Sequence, residues 1–234
     1  MKILLAFVLL MPLMVAASAE ARGLPPERMA AESDVVVVAQ LERTDYEYRR
    51  GFPVAGRAWF RVLISYKNPR RVERLIVHEE GIKDIECYFP DDPGAIEQPR
   101  YLLFLKRDAE NRLRGHPAGC ALELLVTSDS RYALRWPQES MVLDDEGLKR
   151  VQEFEFQGPL SRIDASDETR TAREAMAERN YMRIDGTDLY YTRGILLGDF
   201  RRLMAAGLTA DADDRVERRK QRILEAIEDD DGET

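Results

Sequence analysis

Hydrophobic residues follow three regimes along this chain. Residues 3–15 are almost continuously apolar, interrupted only by Pro12. Between about residues 34 and 136, short apolar runs of strand length alternate with turn-forming residues. Beyond residue 160 the large apolar residues thin out and recur at helical spacing among many charges.

The middle regime predicts β structure. Asp34-Val35-Val36-Val37-Val38-Ala39-Gln40-Leu41 holds four consecutive valines, whose β-branched side chains disfavour a helix and suit a buried strand. Residues 44–56 are polar, contain Gly51 and Pro53, and read as a loop or hairpin connection. In residues 57–66, Ala58, Phe60, Val62 and Ile64 alternate with Arg57, Trp59, Arg61 and Leu63, a period near two. Residues 75–78 form a third short run. Residues 101–105 are apolar on both faces and belong in the centre of a sheet. Residues 122–126 and 132–136 supply a fifth and a sixth run, with Asn111 and Gly115 marking turns. Short strands so closely spaced predict a closed or nearly closed small barrel.

The last regime predicts helices. Asp164 or Ser166 can cap one that runs to about Arg179. Residues 182–195, with Asp185-Gly186 in the middle, read as a hairpin or an irregular extended piece. Leu196, Phe200, Leu203 and Met204 share one helical face, and Gly207 is a suitable stop. That face is expected to pack against the outside of the barrel. A final helix capped by Thr209 or Asp211 would reach Glu228 with a narrow stripe of Val216, Ile223, Leu224 and Ile227. The expected fold is therefore mainly β with a helical C-terminal part (α+β): a barrel over 31–136, two or three helices over 160–228 packed on it, and an acidic tail over 229–234.

The first regime changes the setting. Met1-Lys2, the apolar stretch and the small residues Ala16-Ala17-Ser18-Ala19 are the three parts of a secretory signal, with cleavage after Ala19 or, alternatively, after Ala21. The stretch is short for a membrane span, and no later segment is long and apolar enough for one. The expected location is periplasmic or extracellular. The full chain carries a net charge of -8. Such an acidic exported chain is not expected to bind nucleic acid, which demands positive faces. Cys87 and Cys120 are the only cysteines. In an oxidising compartment an isolated pair reads first as a disulfide, and the wide spacing disfavours the rival reading of a reactive or metal-binding thiol pair.

Ser33 to Gln40, Ala58-Trp59-Phe60-Arg61-Val62-Leu63, Tyr66-Lys67-Asn68, Cys87, Arg100-Tyr101-Leu102-Leu103-Phe104-Leu105 and Cys120, taken together, resemble bacterial exported proteins with an OB-like barrel. Those proteins are similar to the barrel of tissue inhibitors of metalloproteinases and of netrin modules. The resemblance covers about residues 31–127 and implies a five-stranded Greek-key barrel with Cys87 bridged to Cys120. The animal inhibitors reach a protease zinc with a cysteine at the mature N-terminus. Here the mature chain starts at Glu20 or Arg22, so that role does not carry over.

No catalytic motif stands out, and no metal site or cofactor is expected. His78-Glu79-Glu80-Gly81 opens like a zinc-protease motif but lacks the second histidine. His116 lies near Cys120, where a loop histidine beside a disulfide is the plainer reading than a soft-metal pair. Asp211-Ala212-Asp213-Asp214 lacks the glycine and closing glutamate of a calcium loop. Asp91-Asp92 and Asp144-Asp145 could serve glycoside hydrolysis only across a cleft of defined width. Tyr46, Tyr48, Phe52 and Trp59 cluster near one loop as a candidate binding patch, with core packing of Phe52 and Trp59 the alternative. The expected role is a non-catalytic exported binding or structural module of the cell envelope, with an envelope or secreted protein as its partner. The alternatives are an exported hydrolase built from scattered carboxylates and an inhibitor of an exported enzyme.

Overall fold

The computed structural model describes residues 23–68, 72–81, 87–90 and 98–209. The expected signal segment, Asp91-Asp92, the expected last helix and the expected acidic tail lie outside the described residues.

The chain begins with α1 (Pro26–Glu32), whose proline sits in the first turn, where its missing N–H costs nothing. Five strands then close a barrel: β1 (Val35–Arg49), β2 (Phe52–Lys67), β3 (Arg74–Glu80), β4 (Arg100–Arg107) and β5 (Leu113–Gly115). Their spatial order is β1-β2-β3-β5-β4, and β4 returns to pair with β1. All pairs are antiparallel except β3–β5. A closed five-stranded barrel of this order, with its disulfide, is compatible with an OB-like barrel.

Residues 44–56 are not a loop. β1 and β2 run past the barrel as a long hairpin whose turn is Arg50-Gly51, both with positive φ (52° and 83°), the two-residue geometry that matches strand twist. Gly51 supplies the turn, and Pro53 is accommodated in β2 opposite Tyr48. Four register shifts between β1 and β2 coil this ribbon, as barrel closure requires.

Two cores share β1 and β4. Val35, Val37, Ala39, Leu103 and Leu105 point into the barrel with Phe60, Leu75, Val77 and Leu113. Val36, Val38, Leu102 and Phe104 point the other way, into a second core. The valine run is therefore buried on both faces, which is why it shows no alternation.

The sheet continues beyond the barrel. β4 pairs with β5 at Leu105–Arg107 but with β6 (Ala121–Thr127) at Arg100–Leu103, so the sheet splits along β4. Beyond β6 come β7 (Tyr132–Arg135), β8 (Gln152–Glu153) after the short α2 (Asp145–Leu148), and β9 (Phe156–Gln157), which pairs with β6. A separate small sheet has the order β10-β12-β11, from β10 (Arg162–Asp164), β11 (Met182–Asp185) and β12 (Asp188–Tyr191). α3 (Arg170–Asn180) covers it through Ala177, Met182 and Leu189. Its cap is Thr169, not Asp164 or Ser166. Asp164 ends β10, and its carboxylate accepts from the Ser166 amide instead. The chain then returns: β13 (Arg193–Leu196) inserts between β7 and β8.

Residues 197–209 form α4, which lays Leu197, Phe200 and Met204 over the second core with Met29 and Ala30 of α1. Gly207 does not stop this helix. It lies inside it, where a Cβ would sit 2.0 Å from the Glu27 carbonyl oxygen and 2.8 Å from the Ala31 nitrogen. The glycine is there so that two helix backbones can touch. Lys67 is buried and donates to the Ala30 and Ala31 carbonyls (3.3 and 3.1 Å), satisfying C-terminal groups that α1 leaves unpaired. Gly207→Ala should therefore push α1 off α4 and cost about 1–3 kcal/mol. A thermal melt of the variant that overlays the wild type would contradict this contact.

Candidate functional site

The hairpin, β3 and β5 enclose an open cleft of about 1180 Å³. Arg49, Arg50 and Phe52 come from the hairpin tip, Arg57 and His78 from paired positions on β2 and β3, and Arg112 and Arg114 from β5 and the turn before it. No sequence segment holds more than two of these cations. The only local signals are the Arg49-Arg50 doublet and the Arg112-x-Arg114 alternation.

Their charges are answered unequally. Arg114 bridges Asp108 (3.0 Å) and Glu80 (3.1 Å), while Arg112 bridges Asp108 (2.8 Å) and Glu110 (2.9 Å). Partial burial pushes the Asp108 carboxyl up, but the hydrogen bonds from Arg114 and Arg112 outweigh it and hold Asp108 well below the usual carboxylate range. Arg57 pairs with Asp45 at 3.0 Å. Arg49 and Arg50 make no ion pair among the described residues. Desolvation, then Arg112, Arg114 and Arg57, lower the His78 pKa, so its imidazole is mainly neutral at pH 7.

The four aromatic residues singled out in the sequence do not form one patch. Phe52 is 68% exposed at the lip of the cleft, and Tyr48 is exposed nearby on β1. Tyr46 packs against the barrel core, meets Tyr88 edge-on at 5.1 Å, and its hydroxyl accepts from the Phe89 amide at 3.0 Å. Trp59 lies half-buried on the outer face of β2, between Arg43 at 3.9 Å and Arg57 at 5.0 Å. Only Arg57 links it to the cleft.

Other candidates take structural places. Glu79 is buried and accepts from the Glu80 and Cys87 amides, holding the chain before the disulfide. Asp144 caps α2 by accepting from the Gly147 amide at 2.8 Å. Cys87 and Cys120 are bonded, with Cα atoms 5.9 Å apart, so Cys120 has no thiolate to offer a metal beside His116.

His116 itself is buried. Its Nδ1 accepts from the Ala118 amide at 3.1 Å, and its Nε2 makes no hydrogen bond among the described residues, lying 3.6 Å from Glu32. Burial and then Lys106 lower its pKa against the opposing pull of Glu32. The unfolded chain thus takes up this proton at a higher pH than the native one. The associated stability is complete above about pH 6.5 and is lost as pH falls from there through the folded pKa. His78 titrates in the same sense, so the measurement is a difference. His116→Gln should flatten the decline in urea midpoint between about pH 7 and 5 relative to wild type. Parallel curves for the two proteins would remove His116 from this role.

No protein-family model matches the chain, and no curated protein matches it.

Proposed function

We propose that this protein is an exported, non-catalytic binding module whose hairpin cleft receives an acidic protein partner of the envelope or the exterior. The export reading is supported by the leader-like residues 1–19 and by the disulfide. The described residues also contain no helix long and apolar enough to cross a membrane. We also propose kinship with the barrels of tissue inhibitors of metalloproteinases and netrin modules; the closed barrel and the Cys87–Cys120 bond are consistent with it. The observation that carries the binding reading is the hairpin tip. Arg49 and Arg50 project there without acidic partners among the described residues, beside an exposed Phe52, in a chain whose net charge is -8. A cationic edge against an acidic whole steers and orients a complementary acidic surface. The aromatic lip adds apolar area to the contact.

The test uses immobilised poly-L-glutamate and the mature protein. Retention at low salt should fall as salt rises, because screening shortens the reach of exposed charges. The Arg49→Ala/Arg50→Ala variant should bind about tenfold more weakly, each exposed charge pair contributing up to about 1 kcal/mol. Equal retention of variant and wild type would sink the assignment.

A further inference from the structure

A second cleft, of about 720 Å³, shares no lining residue with the first. It opens where the sheet leaves the barrel, with Cys120 in its wall. Its floor is a row across three neighbouring strands. Tyr101 of β4 stands opposite Glu123 of β6, and Arg135 of β7 is ion-paired to Glu123. Tyr88 and Tyr191 contribute walls, and Arg179, near the end of α3, stands at the rim.

The polar groups of this row are fixed but not used up. Arg135 spends Nε on Glu123 and Nη1 on the Pro137 carbonyl (3.0 Å), and it lies 4.9 Å from the Tyr191 ring. Its Nη2 makes no hydrogen bond among the described residues. Glu123 spends Oε2 on Arg135, and its Oε1 makes no hydrogen bond among the described residues, with its side chain 45% exposed. Gln138 clamps the strand beneath, accepting from the Glu123 amide at 2.6 Å and donating to the Arg135 carbonyl at 2.9 Å. The Tyr101 and Tyr191 hydroxyls make no hydrogen bond among the described residues. Burial raises the pKa of both, so each stays a protonated donor.

The kind of ligand follows from what this arrangement rejects and accepts. The lining holds two arginines, Arg135 and Arg179, and two glutamates, Glu123 and Glu139, so its formal charges balance and favour no ion of either sign. Its floor is too polar to favour a wholly apolar body, which would leave those groups unpaired. It offers donors and acceptors side by side among aromatic side chains. A vicinal diol needs one of each at every hydroxyl, and a pyranose ring has C–H faces that lie against tyrosine. We infer that this cleft is a binding site for a neutral sugar, with the Glu123–Arg135 pair taking adjacent ring hydroxyls and Tyr88 and Tyr191 flanking the ring. The volume exceeds one ring and suits a short oligosaccharide.

The test is a ¹H–¹⁵N titration of the mature protein with glucose, galactose, mannose and N-acetylglucosamine and with β- and α-linked glucose disaccharides. At least one should give saturable shifts at Glu123, Arg135, Gln138 and Tyr191, with a Kd on the order of 1 mM. A disaccharide should then bind more tightly than its monomer. Arg179→Ala removes an exposed side chain that makes no ion pair among the described residues, so it should weaken binding several-fold and leave the melting temperature unchanged. Glu123→Gln should weaken it further. The inference fails if no sugar of the panel gives saturable shifts, if the shifts fall at the hairpin residues 49–57, or if both variants bind like wild type. The poly-L-glutamate result is read on residues that this cleft does not contain, so either reading can fall alone.

Discussion

Phe200→Ala should lower the unfolding free energy by about 3–5 kcal/mol, the range for emptying a fully buried aromatic site. Phe200 is 1% exposed. It lies in the second core with Val36, Val38, Leu102 and Phe104, the outward rows of β1 and β4. Those rows are the back of the barrel wall, so a cavity there loosens α4 and the barrel at once. Collapse into the gap is restricted, because Gly207 already places α4 against the backbone of α1. The expected signature is one cooperative transition shifted down by roughly 10 °C, not a separate melting of the helix. Trp136 packs against the same core and reports the loss of fixed packing in near-ultraviolet dichroism. An unchanged melting temperature would mean that α4 does not hold this face.

How far the fold could be read from the chain depended on whether a feature was local. The valine run gave a buried strand and residues 101–105 one apolar on both faces, because β-branching and continuous apolar sequence are visible within a few residues. The face of Phe200, Leu203 and Met204 was equally plain, since its spacing needs one helix and no partner, but Leu196 ends β13 and packs elsewhere, and Leu197 takes its place on the helix. The barrel's closing strand was not. β5 is Leu113-Arg114-Gly115, three residues with a charge in the middle, flanked by turn formers. It closes the barrel only because β3 and β4 present their edges to it. α1 was hidden by its prolines, although Pro26 occupies a helical position that tolerates it. The two clefts were hidden for one reason. Arg57, His78 and Arg114 in one, and Tyr101, Glu123 and Arg135 in the other, share a cleft only through strand register. A shift of one residue would turn each to the opposite face.

Replacing both cysteines, Cys87→Ser with Cys120→Ser, should cost about 3–4 kcal/mol on the loop-entropy model for a bond spanning 33 residues. The double change avoids leaving a lone thiol. The bond lies at the step where β5 ends and β6 begins, and Gly115 is pressed against it: a Cβ there would sit 2.6 Å from that of Cys120 and 2.7 Å from that of Cys87. It fixes Phe89 in the barrel mouth, where that ring meets Phe60 at 4.8 Å and Tyr101 at 5.0 Å. Without it, residues 87–90 are anchored by the Glu79 carboxylate on the Cys87 amide, the Tyr46 hydroxyl on the Phe89 amide and the Tyr88 hydroxyl on the Gly81 carbonyl. Loss of the covalent tie should let the aromatic cluster open more readily. Amide exchange should therefore rise first in residues 87–90 and at the barrel mouth, and least in α4, which the bond does not touch. Reduction of the wild-type protein should reproduce the loss in denaturant midpoint seen in the double variant. If reduction leaves the midpoint where it was, chain entropy is not what this bond contributes, and the barrel mouth is held by its rings.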